Sequence, residues 1–171
     1  MIWMVTTMII GIISDTHVRK NSQKLEESLK KNLPSLDLLI HAGDYTNPEL
    51  INILRNHYKF VGVYGNNDND HLRNELPSKE IITLESYKIG ICHGDGSKKL
   101  TIDNVYDIFS KDKVDIIIYG HSHKASVTTK HKVLYLNPGS FSNKRKEPWN
   151  SYIILELKKG VPPRVSINFF K

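Results

Sequence analysis

The sequence is poor in cysteine and has no long hydrophobic run. Cys92 is the single cysteine among 171 residues, which excludes an internal disulfide and a cysteine-based zinc site. The longest apolar runs, residues 8–13 and 114–119, are far shorter than the roughly 18 residues of a membrane-spanning helix. No signal peptide is recognisable, so we expect a cytoplasmic protein that does not bind membranes.

The chain has no feature that would divide it into parts. It contains no internal repeat, no low-complexity tract and no linker rich in proline and glycine, so residues 1–171 are predicted to form one domain. Residues 1–7 are interpreted as an N-terminal extension ahead of a core that begins near Met8. The 24 Lys and Arg against 18 Asp and Glu give a net charge of +6, which favours anionic ligands such as phosphate esters, nucleotides or nucleic acid.

Short β-branched apolar runs alternate with helical patterns along the first two thirds of the chain. This alternation is typical of an α/β fold with buried strands. Beyond Ser122 the pattern changes to two hairpins, which predict a second, largely antiparallel sheet. Helices are predicted over residues 23–32, after Asn47, and from about Ser97 to Ser110. The predicted strands are residues 8–13, 36–40, 59–64, 87–92 and 114–119, followed by hairpin strands 125–130, 133–137, 151–157 and 164–169.

Each of the first five predicted strands is followed by a cluster of polar side chains that can bind metals. Because the carboxyl ends of strands in α/β sheets border a shared crevice, these clusters are expected to converge. Imidazoles and carboxylates without thiolates suit Mn, Fe, Ni, Zn or Co better than Ca. The set exceeds the needs of one ion, so two ions that share a carboxylate are predicted. The candidate ligands are Asp15, His17, Asp44, Asn66, His93, His121 and His123.

The order of these motifs resembles that of the calcineurin-like metallophosphoesterases, in particular their small bacterial and archaeal phosphodiesterase branch. The resemblance implies a four-layer α/β/β/α sandwich of two mixed sheets flanked by helices. It also implies a phosphodiesterase in which a metal-bridging hydroxide attacks phosphorus in line. The matching motifs are Asp15-Thr16-His17, Gly43-Asp44, Gly65-Asn66-Asn67-Asp68, His93-Gly94 and Gly120-His121-Ser122-His123, and Asn137-Pro138-Gly139-Ser140 is similar to a further stretch of that branch.

The resemblance also implies roles for the ligands, with Asp44 as the bridge between two ions. The expected metal is Mn, with Ni, Fe, Zn and Co as alternatives, and the expected substrate is a small phosphodiester or nucleotide-like molecule. Relatives are often dimers or tetramers, so a homo-oligomer is expected. Asp44, Asn66 and His93 are the predicted catalytic residues. By motif match, one ion would be held by Asp15, His17, Asp44 and His123, and the other by Asp44, Asn66, His93 and His121.

Three residues bear on how a substrate would bind and react. Many relatives have His at the position of Asn67, where it protonates or steadies the leaving oxygen, and an amide cannot donate a proton at neutral pH. Aryl esters with good leaving groups are therefore expected to react faster than alkyl esters. Asp95 stands where some relatives have a further His, and it adds negative charge near the substrate. Arg145 is a candidate for a bidentate contact with a substrate phosphate.

The other polar candidates are given structural roles. Asp68 is expected to orient the Asn66 loop by hydrogen bonds. His41 is interpreted as a turn residue or a partner behind the ligands, and Cys92 as a buried small side chain. The remaining histidines are predicted to lie at the surface: His57, His71 and His131.

Two other functions stay open. The retromer scaffold subunit resembles the same fold but has lost catalysis and presents surfaces to partner proteins; no ligand position is missing from the present sequence. A nuclease on this fold would suit the basic charge, but the chain lacks the capping and DNA-binding segments of such enzymes. Phe141, Trp149 and Tyr152 are weak evidence for a base-stacking platform. A small-molecule phosphodiesterase is therefore favoured over nucleic acid as substrate.

Overall fold

The computed structural model describes residues 6–18, 20, 22–98 and 100–171, so residues 1–5 of the predicted N-terminal extension lie outside the described residues. No helix in these ranges is long and apolar enough to cross a membrane. The elements in chain order are β1 (Met8–Ile13), α1 (Ser22–Asn32), β2 (Leu38–His41), α2 (Glu49–His57), β3 (Phe60–Gly62), α3 (Asp70–Glu75), β4 (Lys79–Leu84), β5 (Tyr87–Cys92), α4 (Thr101–Phe109), β6 (Ile116–Ile118), β7 (Ser126–Lys130), β8 (Val133–Asn137), β9 (Asn150–Lys158) and β10 (Val161–Phe170).

The strands form two mixed five-stranded sheets. The first has the order β10-β9-β1-β2-β3, in which β1 pairs in parallel with β2 and antiparallel with β9. The second has the order β4-β5-β6-β8-β7, with β5, β6 and β8 parallel and an antiparallel strand at each edge.

The prediction that the two C-terminal hairpins form a second, largely antiparallel sheet is wrong. The β9–β10 hairpin extends the first sheet beside β1, and the β7–β8 hairpin extends the second sheet beside β6. The physical reason is that each hairpin has its own apolar face to bury. Leu155 and Leu157 of β9 enter the core between the sheets, whereas Tyr135 of β8 packs under α4.

The two sheets pack face to face, and helices cover their outer faces. Ile10 and Ile40 of the first sheet share one apolar core with Ile91 and Ile118 of the second. Each such side chain contributes about 1.5–3 kcal/mol when it is fully buried. The helices α1 and α2 pack on the first sheet through Leu29, Leu54 and their neighbours, and α4 packs on the second through Val105 and Phe109. The four-layer α/β/β/α arrangement is thus confirmed.

Two helix boundaries differ from the sequence pattern, and two elements are additional to it. Pro48 is at the N-cap position of α2, and the Asn47 Oδ1 accepts a hydrogen bond from the backbone N–H of Glu49 at 3.0 Å. The helix α4 begins at Thr101 rather than near Ser97. The short helix α3 and the edge strand β4 were not predicted.

Candidate metal centre

The loops that follow strands of both sheets meet at one edge of the sandwich. The backbone N–H of Asp15, after β1, donates to the carbonyl of Gly43, after β2, at 3.0 Å. The backbone N–H of His121, after β6, donates to Asp15 Oδ2 at 2.9 Å. Asp15 therefore links the first sheet to the second at the point where the predicted ligands gather.

Asp15, His17 and His123 form the first group of potential ligands. The Nε2 of His123 lies 3.1 Å from Asp15 Oδ1, and the Nε2 of His17 lies 3.6 Å from the same oxygen. The two imidazole rings are stacked, and their Nε2 atoms are 3.2 Å apart. The Nδ1 of His123 contacts the Asn143 carbonyl oxygen, which fixes the ring with Nε2 facing Asp15.

Asp44 and His93 extend this group. The Asp44 Oδ2 lies 3.4 Å from His17 Nε2 and 3.3 Å from His93 Nε2, so one carboxylate oxygen lies between the two imidazoles. The Nδ1 of His93 is 2.8 Å from the Ala42 carbonyl oxygen. The proton on Nδ1 makes that hydrogen bond, so Nε2 is the atom that would bind a metal once its own proton is displaced.

His121 and Asn66 complete the set on the more exposed side. The His121 Nδ1 lies 3.0 Å from Asn66 Oδ1, and the His121 ring packs edge-on against that of His93 with centroids 5.2 Å apart. All seven predicted ligands therefore lie in one continuous chain of contacts. Within each of two subsets, all ligand atoms lie within 4.8 Å of one another. These subsets are Asp15-His17-His123 and Asp15-Asp44-His93.

The backbone of this region is strained at the candidate ligands themselves. Positive φ angles, which disfavour residues with a Cβ, occur at Asp15 (53°), His17 (44°), Asp44 (63°), His121 (66°) and His123 (58°). Two glycines close to these residues have no room for a side chain. A Cβ on Gly65 would lie 2.2 Å from Asp44 Oδ1, and one on Gly120 would lie 1.9 Å from Ser14 Oγ. Such strain persists where the surrounding fold enforces it, and it clusters at functional sites.

Two buried ligand atoms have close neighbours but no hydrogen bond of normal geometry within the part of the chain that the structure describes. They are Asp15 Oδ1 and His93 Nε2, both directed at the space between the imidazoles and carboxylates. A buried polar atom without a partner costs free energy, so its presence here has a functional explanation. A divalent cation would satisfy both atoms, and the mixed nitrogen and oxygen donor set fits such an ion.

The charges of the group also favour a cation. Burial alone would raise the pKa of Asp15, but close contacts with His123 and His17 hold that pKa well below its usual range. Burial also opposes ionisation of Asp44, but contact with His93 lowers its pKa to about 2. Burial would lower the pKa of His93, but contact with Asp44 and the charge of Asp15 raise it to about 9. Both carboxylates are therefore ionised at neutral pH and attract positive charge.

Asn67 and Asp68 hold the loop around Asp44. Asn67 donates its backbone N–H to Asp44 Oδ1 at 2.8 Å and its side-chain Nδ2–H to Asp44 Oδ2 at 2.6 Å. The Asp68 carboxylate accepts the backbone N–H groups of Gly65, Asp44 and Thr46 at 2.8, 3.0 and 2.8 Å. Asp68 thus fixes the loop through its backbone, as its sequence position predicts.

His41 supports the site from behind. It is fully buried and stacks on Tyr45 with ring centroids 3.8 Å apart. Its Nδ1 accepts the backbone N–H of Gly43 at 3.1 Å, so Nε2 carries the proton and donates to Thr16 Oγ1 at 3.0 Å. Burial lowers the pKa of His41 to about 3. The imidazole is neutral, and both of its nitrogens are occupied by protein groups.

The structure also gives the positions of the other candidate residues. Arg145 lies exposed in the loop before β9, with a positive φ of 51°. Asp95 is exposed and lines a cavity of about 340 Å³ together with Asn66 and His93. Cys92 is buried, and burial raises the pKa of its thiol, which fits a small core side chain. The surface histidines are exposed as predicted: His57, His71 and His131.

Arg73 is a residue of the site that the sequence analysis missed. Its Nε donates to the Asp68 carbonyl at 2.8 Å and its Nη2 to the Asn66 carbonyl at 3.0 Å, so it brackets the loop that carries Asn66. Its guanidinium also lies over the Tyr64 ring, 5.1 Å from the centroid. The six residues of α3 have a single buried side chain, Leu72, which gives too weak a periodic signal to predict this helix.

Comparisons with known proteins agree with this geometry. A model of the calcineurin-like phosphoesterase superfamily domain matches residues 8–160. A protein of Methanocaldococcus jannaschii named "Probable metallophosphoesterase" is 37% identical over 135 residues, which cover 78% of this chain and 68% of that protein. A protein of the same organism named "Phosphodiesterase" is 28% identical over 145 residues, which cover 77% of this chain and 83% of that protein.

Solved structures share the architecture. The structure of Vacuolar Protein Sorting 29 from Cryptosporidium parvum matches with a TM-score of 0.73 and 18% identity. The match covers 96% of this chain and 98% of the Cryptosporidium parvum chain. At this identity the likeness concerns the fold alone. The family match over residues 8–160 places the chain, with its two mixed sheets and its cluster of imidazoles and carboxylates, in the calcineurin-like phosphoesterase superfamily.

Proposed function

We propose that this protein is a metal-dependent phosphodiesterase that uses two divalent ions to hydrolyse a small phosphodiester or nucleotide-like substrate. The observation that carries the proposal is the position of Asp44, one of whose carboxylate oxygens lies between His17 at 3.4 Å and His93 at 3.3 Å. A carboxylate between two groups of ligands is suited to bridge two cations.

Apart from Asp44, the ligand-type residues fall into two groups of three, one for each ion. Asp15, His17 and His123 would join it around one ion, and Asn66, His93 and His121 would join it around the other. Mn is the proposed metal, and Ni, Fe, Zn and Co suit the same donors. When bound, such ions supply Lewis-acid chemistry, because they lower the pKa of water and neutralise charge on a phosphoryl group.

The chain's own residues prepare this site in three ways. Asn67 donates two hydrogen bonds to Asp44 and fixes the orientation of its carboxylate. Asp68 and Arg73 hold the loop that presents Asn66. The Asn67 amide cannot supply a proton, so the leaving oxygen departs as an anion or takes its proton from solvent.

Cavities beside the ligand cluster support a diester substrate. Lys20 and Lys24 line a cavity of about 490 Å³ next to His17, and Arg73 lines the cavity of about 340 Å³ next to Asn66 and His93. Positive charge exceeds negative charge on both sides of the cluster, since Arg73 and Lys79 outnumber Asp95 in the second cavity, and this excess favours a phosphate anion. Space on both sides accommodates two substituents on phosphorus, and the name of the 28% identical relative supports the same activity.

The test is hydrolysis of bis(p-nitrophenyl) phosphate beside p-nitrophenyl phosphate. Metal-stripped protein would receive Mn, Ni, Zn or Mg in turn, and bound metal would be counted by elemental analysis. We expect metal-dependent cleavage of the diester that His93→Ala abolishes and that the exposed-site control His131→Ala retains.

A scaffold function is the outcome that would replace this proposal. It would be indicated by protein that binds metal at the same residues but hydrolyses neither ester with any of the four metals. Activity that His93→Ala leaves intact would place the chemistry elsewhere in the molecule.

A further inference from the structure

An aromatic cavity adjoins the candidate metal centre at His123. Its volume is about 190 Å³, and its walls come from the segment His123–Ala125, the loop before β9, and β10. Within the described part of the chain, neither Trp149 nor Phe169 of this cavity takes part in the contacts that hold the ligand cluster together. The cavity therefore needs a separate explanation.

Two large exposed aromatic side chains converge on this cavity. Trp149 is 43% exposed and Phe169 is 60% exposed, and both line the same small space. Single exposed apolar residues are common on protein surfaces and carry no information. Two rings at one concave site beside a catalytic cluster form the kind of surface on which a planar ligand stacks.

The packing of β10 does not account for the position of Phe169. Val165 and Ile167 on the same face of the strand pack against the core between the sheets, but Phe169 continues this row into solvent. The next residue, Phe170, packs against Phe141 with ring centroids 4.8 Å apart. Phe141 is fully buried, so it cannot stack on a ligand, and the aromatic surface at this cavity is formed by Trp149 and Phe169.

Charged groups around the rings suit a nucleotide. The Lys171 Nζ lies 5.3 Å from the Trp149 ring centroid. The Lys144 Nζ donates to the Pro148 carbonyl at 2.7 Å, which fixes this basic loop against the cavity wall. Glu147 also lines the cavity, and a carboxylate can accept a hydrogen bond from an amino or imino group on the edge of a base.

We propose that this cavity binds the nucleobase of a nucleotide phosphodiester whose phosphate lies at the metal centre. The inference rests on the proposed function and specifies its substrate class. His123 connects the two sites, since it lines the cavity while its Nε2 lies 3.1 Å from Asp15 Oδ1. The space equals that of roughly six water molecules, which suits one flat base better than a segment of polypeptide.

The kinetic test uses two esters with the same leaving group. Thymidine 5′-(p-nitrophenyl phosphate) has a nucleoside arm, and methyl p-nitrophenyl phosphate has none. The measured quantity is the ratio of their kcat/KM values. Because base stacking on one aromatic side chain contributes about a tenfold or greater preference, Trp149→Ala and Phe169→Ala should each lower the ratio about tenfold. Tyr106→Ala, which removes an exposed ring on α4, should leave the ratio unchanged.

A binding test works without catalysis. Trp3→Phe leaves Trp149 as the one tryptophan of the chain, and the Zn-loaded variant is titrated with AMP or with ribose 5-phosphate. We expect saturable quenching of Trp149 fluorescence by AMP and none by ribose 5-phosphate. Adding Phe169→Ala should weaken AMP binding about tenfold.

The outcomes separate this inference from the proposed function. An unchanged kcat/KM ratio in both alanine variants, together with no AMP quenching, would overturn the nucleobase site while diester cleavage stands. Failure to hydrolyse either ester would overturn the phosphodiesterase, and the fluorescence titration would then decide the base site alone. Equal quenching by ribose 5-phosphate would show that the cavity does not recognise a base.

Discussion

Asn67 illustrates how one residue sets the chemistry that a site can perform. Its two N–H groups donate to the two oxygens of Asp44, at 2.8 and 2.6 Å, so it acts on the candidate bridge and not as an acid. A neutral amide has no proton to give to a leaving alkoxide. The residue at this position should therefore determine which phosphodiesters the protein hydrolyses fastest.

We predict a steep dependence of rate on the leaving group in the wild-type protein. The kcat/KM for a series of methyl aryl and methyl alkyl phosphates should fall as the pKa of the leaving alcohol rises, because the Asn67 amide cannot protonate the departing oxygen. Asn67→His should flatten this dependence and accelerate alkyl esters by about 100-fold, the usual contribution of a general acid. Asn67→Gln, which retains the amide, is the matched control. A flat dependence in the wild-type protein would contradict this account.

A second prediction concerns Asp68, whose carboxylate accepts three backbone N–H groups. Asp68→Ala leaves these buried donors without a partner and should lower the free energy of unfolding by about 3 kcal/mol. Asp70→Ala, an exposed change nearby on α3, should alter it by less than about 0.5 kcal/mol. Urea denaturation of the metal-free proteins measures both values. Equal stability of the two variants would mean that Asp68 does not hold the loop.

At the scale of elements, the short helix α3 is the support of the Asn66 loop. Arg73 on this helix donates to the carbonyls of Asn66 and Asp68 at 3.0 and 2.8 Å. Removing such a partner of a ligand loop commonly weakens metal binding 10- to 100-fold. We expect that loss for Arg73→Ala, measured by calorimetric titration with Mn or Zn.

Two further variants define the role of this arginine. Arg73→Lys should recover little affinity, because an ammonium cannot reproduce the planar fork that spans two carbonyls. Arg55→Ala removes another arginine that contacts α3, through Glu75, and should leave metal affinity unchanged. Normal metal affinity in Arg73→Ala would show that the loop keeps its shape without this helix.

The elements also show how much the sequence could reveal. The strands that position the ligands were predicted because β1, β2, β5 and β6 are buried apolar runs that end at polar clusters. The strand β4 was missed because its residues are half-buried or exposed at a sheet edge. The assignment of strands to two sheets depends on long-range pairing, such as β9 with β1, which local pattern does not encode.

The ligands of the candidate site could be predicted from the sequence, but the contacts that support them could not. All seven ligand-type residues come together because each of them closely follows the end of a strand. This position can be read directly from the sequence. The hydrogen bonds of Asn67 to Asp44 and the bracket formed by Arg73 join residues through loop geometry, which the sequence does not specify. Trp149 and Phe169 lie at the open end of the predicted β9–β10 hairpin, but the cavity that they line depends on loops whose shape the sequence does not specify.

On the scale of the whole molecule, the candidate centre joins the two sheets. Asp15, His17 and Asp44 follow strands of the first sheet, whereas His93 and His123 follow strands of the second. Contacts across this boundary include Asp44 with His93 at 3.3 Å and Asp15 with His123 at 3.1 Å. A cation held by both sides would connect the two halves of the sandwich in the folded state alone, since the unfolded chain does not assemble these ligands.

The last prediction follows from this connection. Metal at 100 times its dissociation constant should stabilise the fold by about 2.7 kcal/mol per ion, and a domain of this size gains about 2–4 °C per kcal/mol, so the melting temperature should rise by roughly 5–10 °C for each ion bound. Chelation should reverse the rise. His93→Ala, which removes a ligand from the second sheet, should lose more than half of the shift, and His57→Ala on the exposed surface of α2 should keep all of it. Calorimetry on stripped and reloaded protein measures these shifts. An unchanged melting temperature in protein with bound metal would mean that the unfolded chain binds the ion as well as the folded protein does, so that the site does not depend on the joined sheets, because a ligand that binds the folded state alone must raise its stability.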